Sequence, residues 1–412
     1  MPKLTTLPKQ ASMLRQYRLI TANYWAFTLT DGALRMLVVL YFHQLGYTPL
    51  EIALLFVFYE AFGVVTNLVG GWLGARIGLN KTMNIGLFLQ IVALSLLLVP
   101  ASFLSVAWVM AAQALSGIAK DLNKMSAKSA IKHIVPAGED TRLFKWVALL
   151  TGSKNTLKGF GFFLGGVLLS ALQFRGAILT MSIALSLVWI VSLITLKRDF
   201  GRSSDKPKFT SIFSTSRPIN YLSAARMFLF GSRDVWFVIA LPVFLANQLQ
   251  WSQSYIGGFL ATWVILYGLV QSATPRIIAT KRATPLGGHA AFIWAALLAI
   301  IPIAIAIGIQ FESPPTLTIV GGLLLFGAVF AVNSALHSYL IIRYAASDKV
   351  SLDVGFYYMA NAMGRLIGTV LSGLLFQLYN LQVCLAVSAL FIATAALLSL
   401  GIDQKPDVQK PS

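Results

Sequence analysis

The chain has 412 residues, of which 57% are hydrophobic and 11% charged, and its net charge is +18. A soluble domain carries nearer 25% charged residues. With a mean hydropathy of +0.75, the apolar segments that fill residues 17 to 401 exclude a soluble domain of useful size, and with it the nucleic-acid partner that such a charge would suggest in water. A spanning helix needs about 20 mainly apolar residues. Twelve such segments can be placed, at 17–45, 49–75, 82–100, 104–127, 143–172, 176–197, 219–248, 253–280, 286–310, 316–342, 350–378 and 380–401. The first is too long for a signal peptide and no small-residue cleavage site follows it, so it reads as a permanent span. Helix-ending residues mark the breaks: Gly46-Tyr47-Thr48-Pro49, Gly78-Leu79-Asn80, Pro100, Pro136, Gly176, Pro218, Pro285, Pro314-Pro315 and Asn380. The expected fold class is an all-α membrane protein of twelve transmembrane helices.

With the N-terminus inside, and the span-end cations Arg18, Lys145, Lys197 and Arg276 counted with the inward segments they adjoin, the tails and inward loops hold 23 of the 32 Lys and Arg, the outward loops hold only Arg175, and the spans hold eight. That asymmetry predicts two cytoplasmic termini. The longest hydrophilic stretch, 197–218, contains Lys197, Arg198, Arg202, Lys206, Lys208 and Arg217 and reads as a cytoplasmic linker. The expected organisation is a six-helix bundle over 1–198, a linker over 199–218 and a second bundle over 219–412. The bundles repeat weakly. Gln44-Leu-Gly-Tyr-Thr48 matches Gln248-Leu-Gln-Trp-Ser252, and Lys154, Lys158, Gly161 and Gly166 match Asn361, Arg365, Gly368 and Gly373 at a constant offset of 207. Internal six-helix repeats are a property of transporters.

The loop between the second and third segments reads Gly71-Trp-Leu-Gly74-Ala75-Arg76-Ile-Gly78-Leu-Asn-Lys81. It resembles the signature cytoplasmic loop of the major facilitator superfamily, with Ala75 where that family usually has an acid. Gly161-Phe-Phe-Leu-Gly165-Gly166 resembles the antiporter motif of the same family, with Phe162 where proline is expected; small residues at this spacing equally serve close helix packing. The resemblance implies the major facilitator fold, with two pseudo-symmetric halves.

A lone Cys384 excludes an internal disulfide and a cysteine metal site. The four histidines are dispersed, and no phosphate-cradling loop, GxSxG or HExxH occurs. Enzyme chemistry and ATP-driven pumping therefore have no residues to carry them, and no cofactor or metal is expected.

Charges inside the spans are the informative residues. The cations are Arg35, Lys120, Lys124, Lys154, Lys158, Arg226, Arg233 and Arg365; the acids are Asp31, Glu60, Asp121 and Asp234. Each cation facing lipid at mid-depth costs roughly 2.5–3.5 kcal/mol, so these groups must line a wet cavity, pair, or sit near a helix end. Spacing puts many on shared faces: Asp31 with Arg35, Lys120 with Lys124 and Lys128, Lys154 with Lys158, Asn361 with Arg365. Asp31–Arg35 and Arg233–Asp234 are candidate ion pairs. Cations outnumber acids, and an anionic ligand bearing phosphate-like groups suits the excess. In the major facilitator fold the helices carrying these charges line the central path. Trp263, Tyr267 and Gln271, and Asn333 with His337, form polar rows better explained by core packing.

The runs NYWAFTLTDGALRMLVVLYFHQLGY, FYEAFGVVTNLVGGWLGARIGLNKTMN, AAQALSGIAKDLNKMSAKSAIK, TGSKNTLKGFGFFLGG and LSAARMFLFGSRDVWFVIALPVFL resemble the organoarsenical efflux permeases of the ArsJ type, over nearly the whole chain. That resemblance implies a bacterial inner-membrane exporter of 1-arseno-3-phosphoglycerate, the acyl arsenate that glyceraldehyde-3-phosphate dehydrogenase makes when arsenate replaces phosphate. Export and hydrolysis outside give arsenate resistance in functional partnership with the dehydrogenase. Import or exchange of ordinary organophosphates remains an alternative, since its electrostatics are the same; a non-transporting receptor would need a soluble signalling domain. Expected roles follow. Arg35 and Arg233, in the first helix of each half, form an anion clamp, with Arg226 nearby. Lys120, Lys124, Lys154, Lys158 and Arg365 form a second cluster toward the cytoplasm. Glu60, with no cation within four residues, is the expected proton site for proton antiport, the alternative being that it pairs with Arg35 or another cation across the bundle; Asp31, Asp121 and Asp234 are charge partners.

Overall fold

The computed structural model describes residues 7–47, 55–136, 138–196, 200–203, 207–278, 286–311 and 315–402. Among the described residues there are helices and no strand. In order they are α1 (Leu7–Gln44), α2 (Val57–Ile77), α3 (Leu79–Leu96), α4 (Val106–Ala130) and a 56-residue run, Asp140–Thr195. Then follow α7 (Arg217–Phe237), α8 (Ala240–Asn247), α9 (Gln253–Ile277), α10 (Gly288–Gly308), α11 (Thr316–Tyr344), α12 (Val350–Leu378) and α13 (Leu381–Ser399). The long run is two helices, α5 (140–172) and α6 (174–195), because Gln173 stands at φ 58°, ψ 175°. The break expected at Gly176 therefore falls three residues earlier, on a left-handed glutamine, and Gly176 itself is helical.

Among the described residues nine helical stretches are long and apolar enough to cross a membrane, counting Asp140–Thr195 once and α7 with α8 as Arg217–Asn247. Dividing the long run at Gln173 makes ten. Two more helices of 21 and 25 residues, α2 and α4, are too polar for that criterion and bring the number to the expected twelve. Side-chain caps start several of them: Ser105 accepts from Trp108 N at 3.3 Å, Ser252 from Tyr255 N at 3.3 Å, and Asn380 from Val383 N at 3.0 Å. The breaks assigned to Thr48, Pro49, Pro285 and Pro314, the linker cations Lys197, Arg198 and Lys206, and the chain ends 1–6 and 403–412 lie outside the described residues, while residues 7–16, expected as tail, extend α1.

The chain forms two compact units. The first comprises Met1–Trp146, Ser153–Phe213 and Ala346–Met359; the second comprises Val147–Gly152, Ser214–Ala345 and Ala360–Ser412. In the first unit α4 packs on α1, α2 and α3. Glycines let α1 and α5 touch: a Cβ on Gly161 would lie 2.7 Å from the Leu29 carbonyl and 3.0 Å from the Cα of Gly32. Overpacking a tight contact costs about 1–3 kcal/mol. Gly161→Val should therefore lower the unfolding temperature of the purified protein and its membrane yield; a variant as stable as wild type would show that the crossing relaxes freely.

The linker does not hang free of the first unit. Leu79 N donates to Phe200 O and Ser203 N to Ala75 O, both at 2.9 Å. Gly201, at φ 70°, packs on Leu79 where no Cβ would fit. The Trp72 indole donates to Pro207 O at 3.0 Å and meets Phe209 edge-on at 5.5 Å, while Arg76 lies 5.1 Å over the Trp72 ring. Phe213 contacts Phe356 at 6.2 Å. His133 sits 5.8 Å from the Phe200 ring; burial, with Lys132 beside it, holds its imidazole below the usual histidine range, so it acts as a neutral wedge there.

The second unit has an aromatic core. Trp236 meets Phe326 at 5.0 Å, Trp263 stacks on Tyr267 at 5.6 Å, and Phe326 stacks on Phe330 at 5.6 Å. Its α7–α12 contact repeats the glycine crossing of the first unit. A Cβ on Gly368 would lie 2.5 Å from the Gly231 carbonyl and 3.1 Å from its Cα.

Candidate functional site

The first unit gathers charged groups from four helices. The Tyr59 hydroxyl donates to Asp31 Oδ1 at 2.7 Å. Arg35 donates through Nη2 to Glu60 Oε1 at 3.1 Å, and its guanidinium lies 5.0 Å from the Phe56 ring and 4.9 Å from the Tyr59 ring. Lys120 points its ammonium at the other available partner, the face of Tyr59, 3.7 Å from the centroid. Lys154 donates to Asn155 Oδ1 at 3.2 Å. Lys158 has no hydrogen bond or ion pair among the described residues, and Arg35, Asp31, Lys154 and Lys120 all lie within its electrostatic reach.

One turn further along α4, Lys124 donates to Asp121 Oδ1 at 2.6 Å and lies 4.8 Å from the Tyr358 ring. Lys128 bonds the Tyr358 hydroxyl and lies 4.6 Å from the same ring. The lysines of α4 are thus steadied by aromatic faces and a tyrosine hydroxyl as well as by the carboxylate of Asp121. A cation over a ring is stabilised without being neutralised, which leaves its charge available to a ligand.

The second unit disposes of its cations differently. Asp234, fully buried, accepts from Arg233 Nε at 2.6 Å through Oδ1 and from Arg365 Nε at 3.0 Å through Oδ2. Arg226, 2% exposed, donates to Asn361 Oδ1 at 2.9 Å and to Ser334 O at 3.2 Å, with its guanidinium 3.8 Å from the Phe230 ring. Gln271 donates to Ser334 Oγ at 3.0 Å, and Asn333 donates to Trp294 O at 2.9 Å. Trp263, Tyr267, Gln271, Asn333 and His337 are all buried in this core.

Several expectations are corrected by these contacts. Asp31 and Arg35 share a helix face but not a bond: Asp31 accepts from Tyr59, and Arg35 reaches across to Glu60. Glu60, which has no cation within four residues in sequence, pairs with Arg35 on another helix, the alternative open to it from the sequence. Lys158 lies within electrostatic reach of Arg35 as well as of Lys120 and Lys154, and Lys120 and Arg35 both contact the Tyr59 ring. Arg365 shares Asp234 with Arg233. The crossings also set a register. Gly32 meets Gly161 and Gly231 meets Gly368, and three residues on from the first glycine of each pair stand Arg35 and Asp234. The counterpart of Arg35 is therefore Asp234, and Arg233 corresponds to Leu34. Sequence reading missed Tyr59 and Tyr358; their one signal was an aromatic hydroxyl beside intramembrane charge.

The profile of the Major Facilitator Superfamily matches residues 20–311. Among solved structures, the chain is similar to the human organic anion transporter MFSD10 (TETRAN), at 16% identity over 94% of this chain and 99% of that one, with a TM-score of 0.74. It is similar to the E. coli fucose:proton symporter FucP, at 13% identity over 96% and 100%, TM-score 0.72. A bacterial homologue of the iron transporter ferroportin in its outward-facing state matches at 13% identity over 93% and 98%, TM-score 0.72. At these identities the likeness is one of fold. No curated protein matches the chain.

Proposed function

Because the chain belongs to the Major Facilitator Superfamily, and so is a multi-pass membrane transporter, we propose that it exports an organic oxyanion, 1-arseno-3-phosphoglycerate, and thereby gives arsenate resistance. The observation that carries the anionic substrate is the pair Lys120 and Lys158. Two ammonium groups stand beside Arg35, and among the described residues the first has only a ring face and the second no bonded partner. A phosphate monoester carries about −1.5 to −2 near neutral pH and three acceptor oxygens, which suits that excess; the arsenate group adds further charge. The absence of any thiol cluster, with Cys384 alone and buried, suits a pentavalent oxyanion and not trivalent arsenic. The proposal includes a bacterial inner-membrane location with both termini cytoplasmic, two six-helix halves (1–198 and 219–412) joined by 199–218, and functional partnership with glyceraldehyde-3-phosphate dehydrogenase.

Leaving a cell that is negative inside, each negative charge gains about 2.3 kcal/mol per 100 mV, so export needs no coupled ion to run. Glu60 adds a proton term whose sign follows from its contact with Arg35. The carboxylate and the substrate anion compete for one guanidinium. Protonating Glu60 leaves Arg35 to the anion, so proton and anion bind together. This is the reverse of the antiport read from the sequence.

The test uses everted vesicles supplied with the dehydrogenase, glyceraldehyde 3-phosphate, NAD and arsenate. Arsenic should accumulate only when all are present. Accumulation of organophosphate without arsenic would replace the proposal with organophosphate exchange. At zero membrane potential, acidifying the cytoplasmic side should speed uptake, and Glu60→Gln should abolish that response; an undiminished response would remove Glu60 from the mechanism.

A further inference from the structure

The same helix crossing is built twice in this chain, and its two copies carry different charges. At the α1–α5 crossing, Gly32 lies against Gly161; three residues on from Gly32 is Arg35, and three residues back from Gly161 is Lys158. At the α7–α12 crossing, Gly231 lies against Gly368; three residues on is Asp234, and three residues back is Arg365. The second corner is an ion pair, Arg365 Nε to Asp234 Oδ2 at 3.0 Å, with Arg233 on the other carboxylate oxygen. The first corner sets a cation against a cation. Arg35 turns to Glu60, and Lys158 has Arg35, Lys154 and Lys120 around it against Asp31, whose Oδ1 already accepts from the Tyr59 hydroxyl. A chain that neutralises one copy of a corner with a built-in carboxylate, and leaves the other copy open, has a vacant anion position.

We infer that the phosphate-like head of the substrate binds at the Arg35–Lys158 corner of the first unit, in the place that the Asp234 carboxylate takes at the Arg233–Arg365 corner of the second. The inference rests on the anion-transport reading above and sharpens it. Recognition of that head belongs to one unit and not to a symmetric arginine clamp. Asp234 is the internal occupant that makes the second corner unavailable, so that one of the two corners serves the substrate. The ligand class is a tetrahedral oxyanion carried on a small organic acid. One oxygen takes the Lys158 ammonium, and another competes with Glu60 for the Arg35 fork. Lys120 and Lys154, on the same side, suit a second anionic group of the same molecule.

The experiment uses the purified full-length protein, with 3-phosphoglycerate and inorganic phosphate as probes, read by isothermal titration and by unfolding temperature. Wild type should bind one 3-phosphoglycerate. Lys158→Gln should weaken that binding at least tenfold without lowering the unliganded unfolding temperature, because it removes a cation that has no hydrogen bond or ion pair among the described residues and three other cations near it. A merely structural lysine would lower it. Asp234→Asn should unfold at lower temperature than wild type, and phosphate should restore more of that loss than it adds to wild type, since two arginines then face an empty corner. The double variant Asp234→Asn/Lys158→Gln should keep the phosphate response. Wild-type affinity in Lys158→Gln, or an Asp234→Asn protein indifferent to phosphate, overturns the inference. Failure of wild type to bind either probe rejects the anion-transport reading instead, and the phosphate response of Asp234→Asn still reads the second corner independently.

Discussion

Asp234→Ala should be the most destabilising single substitution in the second unit, lowering stability by about 3–5 kcal/mol. Its carboxylate is fully buried and bridges two guanidiniums. Removing one member of a buried ionic group leaves its partners uncompensated, which costs several times more than the group contributes as a whole. Side chains of Arg233 and Arg365 are 16% and 28% exposed, too little for water to replace the lost carboxylate. A triple variant with Asp234→Ala, Arg233→Leu and Arg365→Leu should recover most of the loss, since replacing a whole buried ionic group by apolar residues is close to neutral. Thermal unfolding in detergent checks both. An Asp234→Ala protein that unfolds at the wild-type temperature would mean that the two arginines find other partners.

Arg35→Lys should reduce export by about 10- to 100-fold at equal protein in the membrane. Lysine keeps the charge but loses the planar fork, and a charge-assisted hydrogen bond is worth about 1.5–3 kcal/mol, where each 1.36 kcal/mol is a factor of ten in rate. The guanidinium also lies over Phe56 and Tyr59, a contact that an ammonium makes less well. Arg233→Lys should be milder in transport and harsher in stability, because Arg233 is committed to Asp234. Initial rates in everted vesicles, paired with unfolding temperatures, separate the two. Equal transport loss from both substitutions would restore the symmetric clamp.

The helices were legible because about 20 apolar residues between Gly, Pro and Asn breaks leave the chain little choice in a membrane. The span from Val350 to Leu378 matches its expected bounds, and even the polar α2 and α4 were found, where apolar composition alone falls short. The bend at Gln173 was not legible, since a left-handed glutamine has no sequence signature and a glycine stood three residues away. Among the charges, Arg233–Asp234 could be read because the pair is adjacent. Arg35–Glu60 stood only as an alternative to a proton role for Glu60, because i,i+4 spacing describes one helix, and that pair spans two. The Arg365–Asp234 bond lay hidden for the same reason. The internal repeat was visible through Gly161 and Gly368 on one side of each crossing. Without Gly32 and Gly231 on the other, its register slipped by one residue and matched Arg35 to Arg233.

The pinned linker has a practical consequence. Its attachments to the first unit run from Phe200 to Phe213, and α7 begins at Arg217. The tether between the last anchor and the next helix is three residues, Ser214 to Ser216, with a contour length of about 10 Å. A 20-residue hydrophilic segment therefore behaves as a short leash. A protease site or fluorescent insert should be tolerated between 214 and 216, whereas the same insert between 200 and 209 has to unpick Ser203 from Ala75 and Trp72 from Pro207. For the same reason, a chain cut at 215 and expressed as two pieces would leave the anchored segment with the first piece.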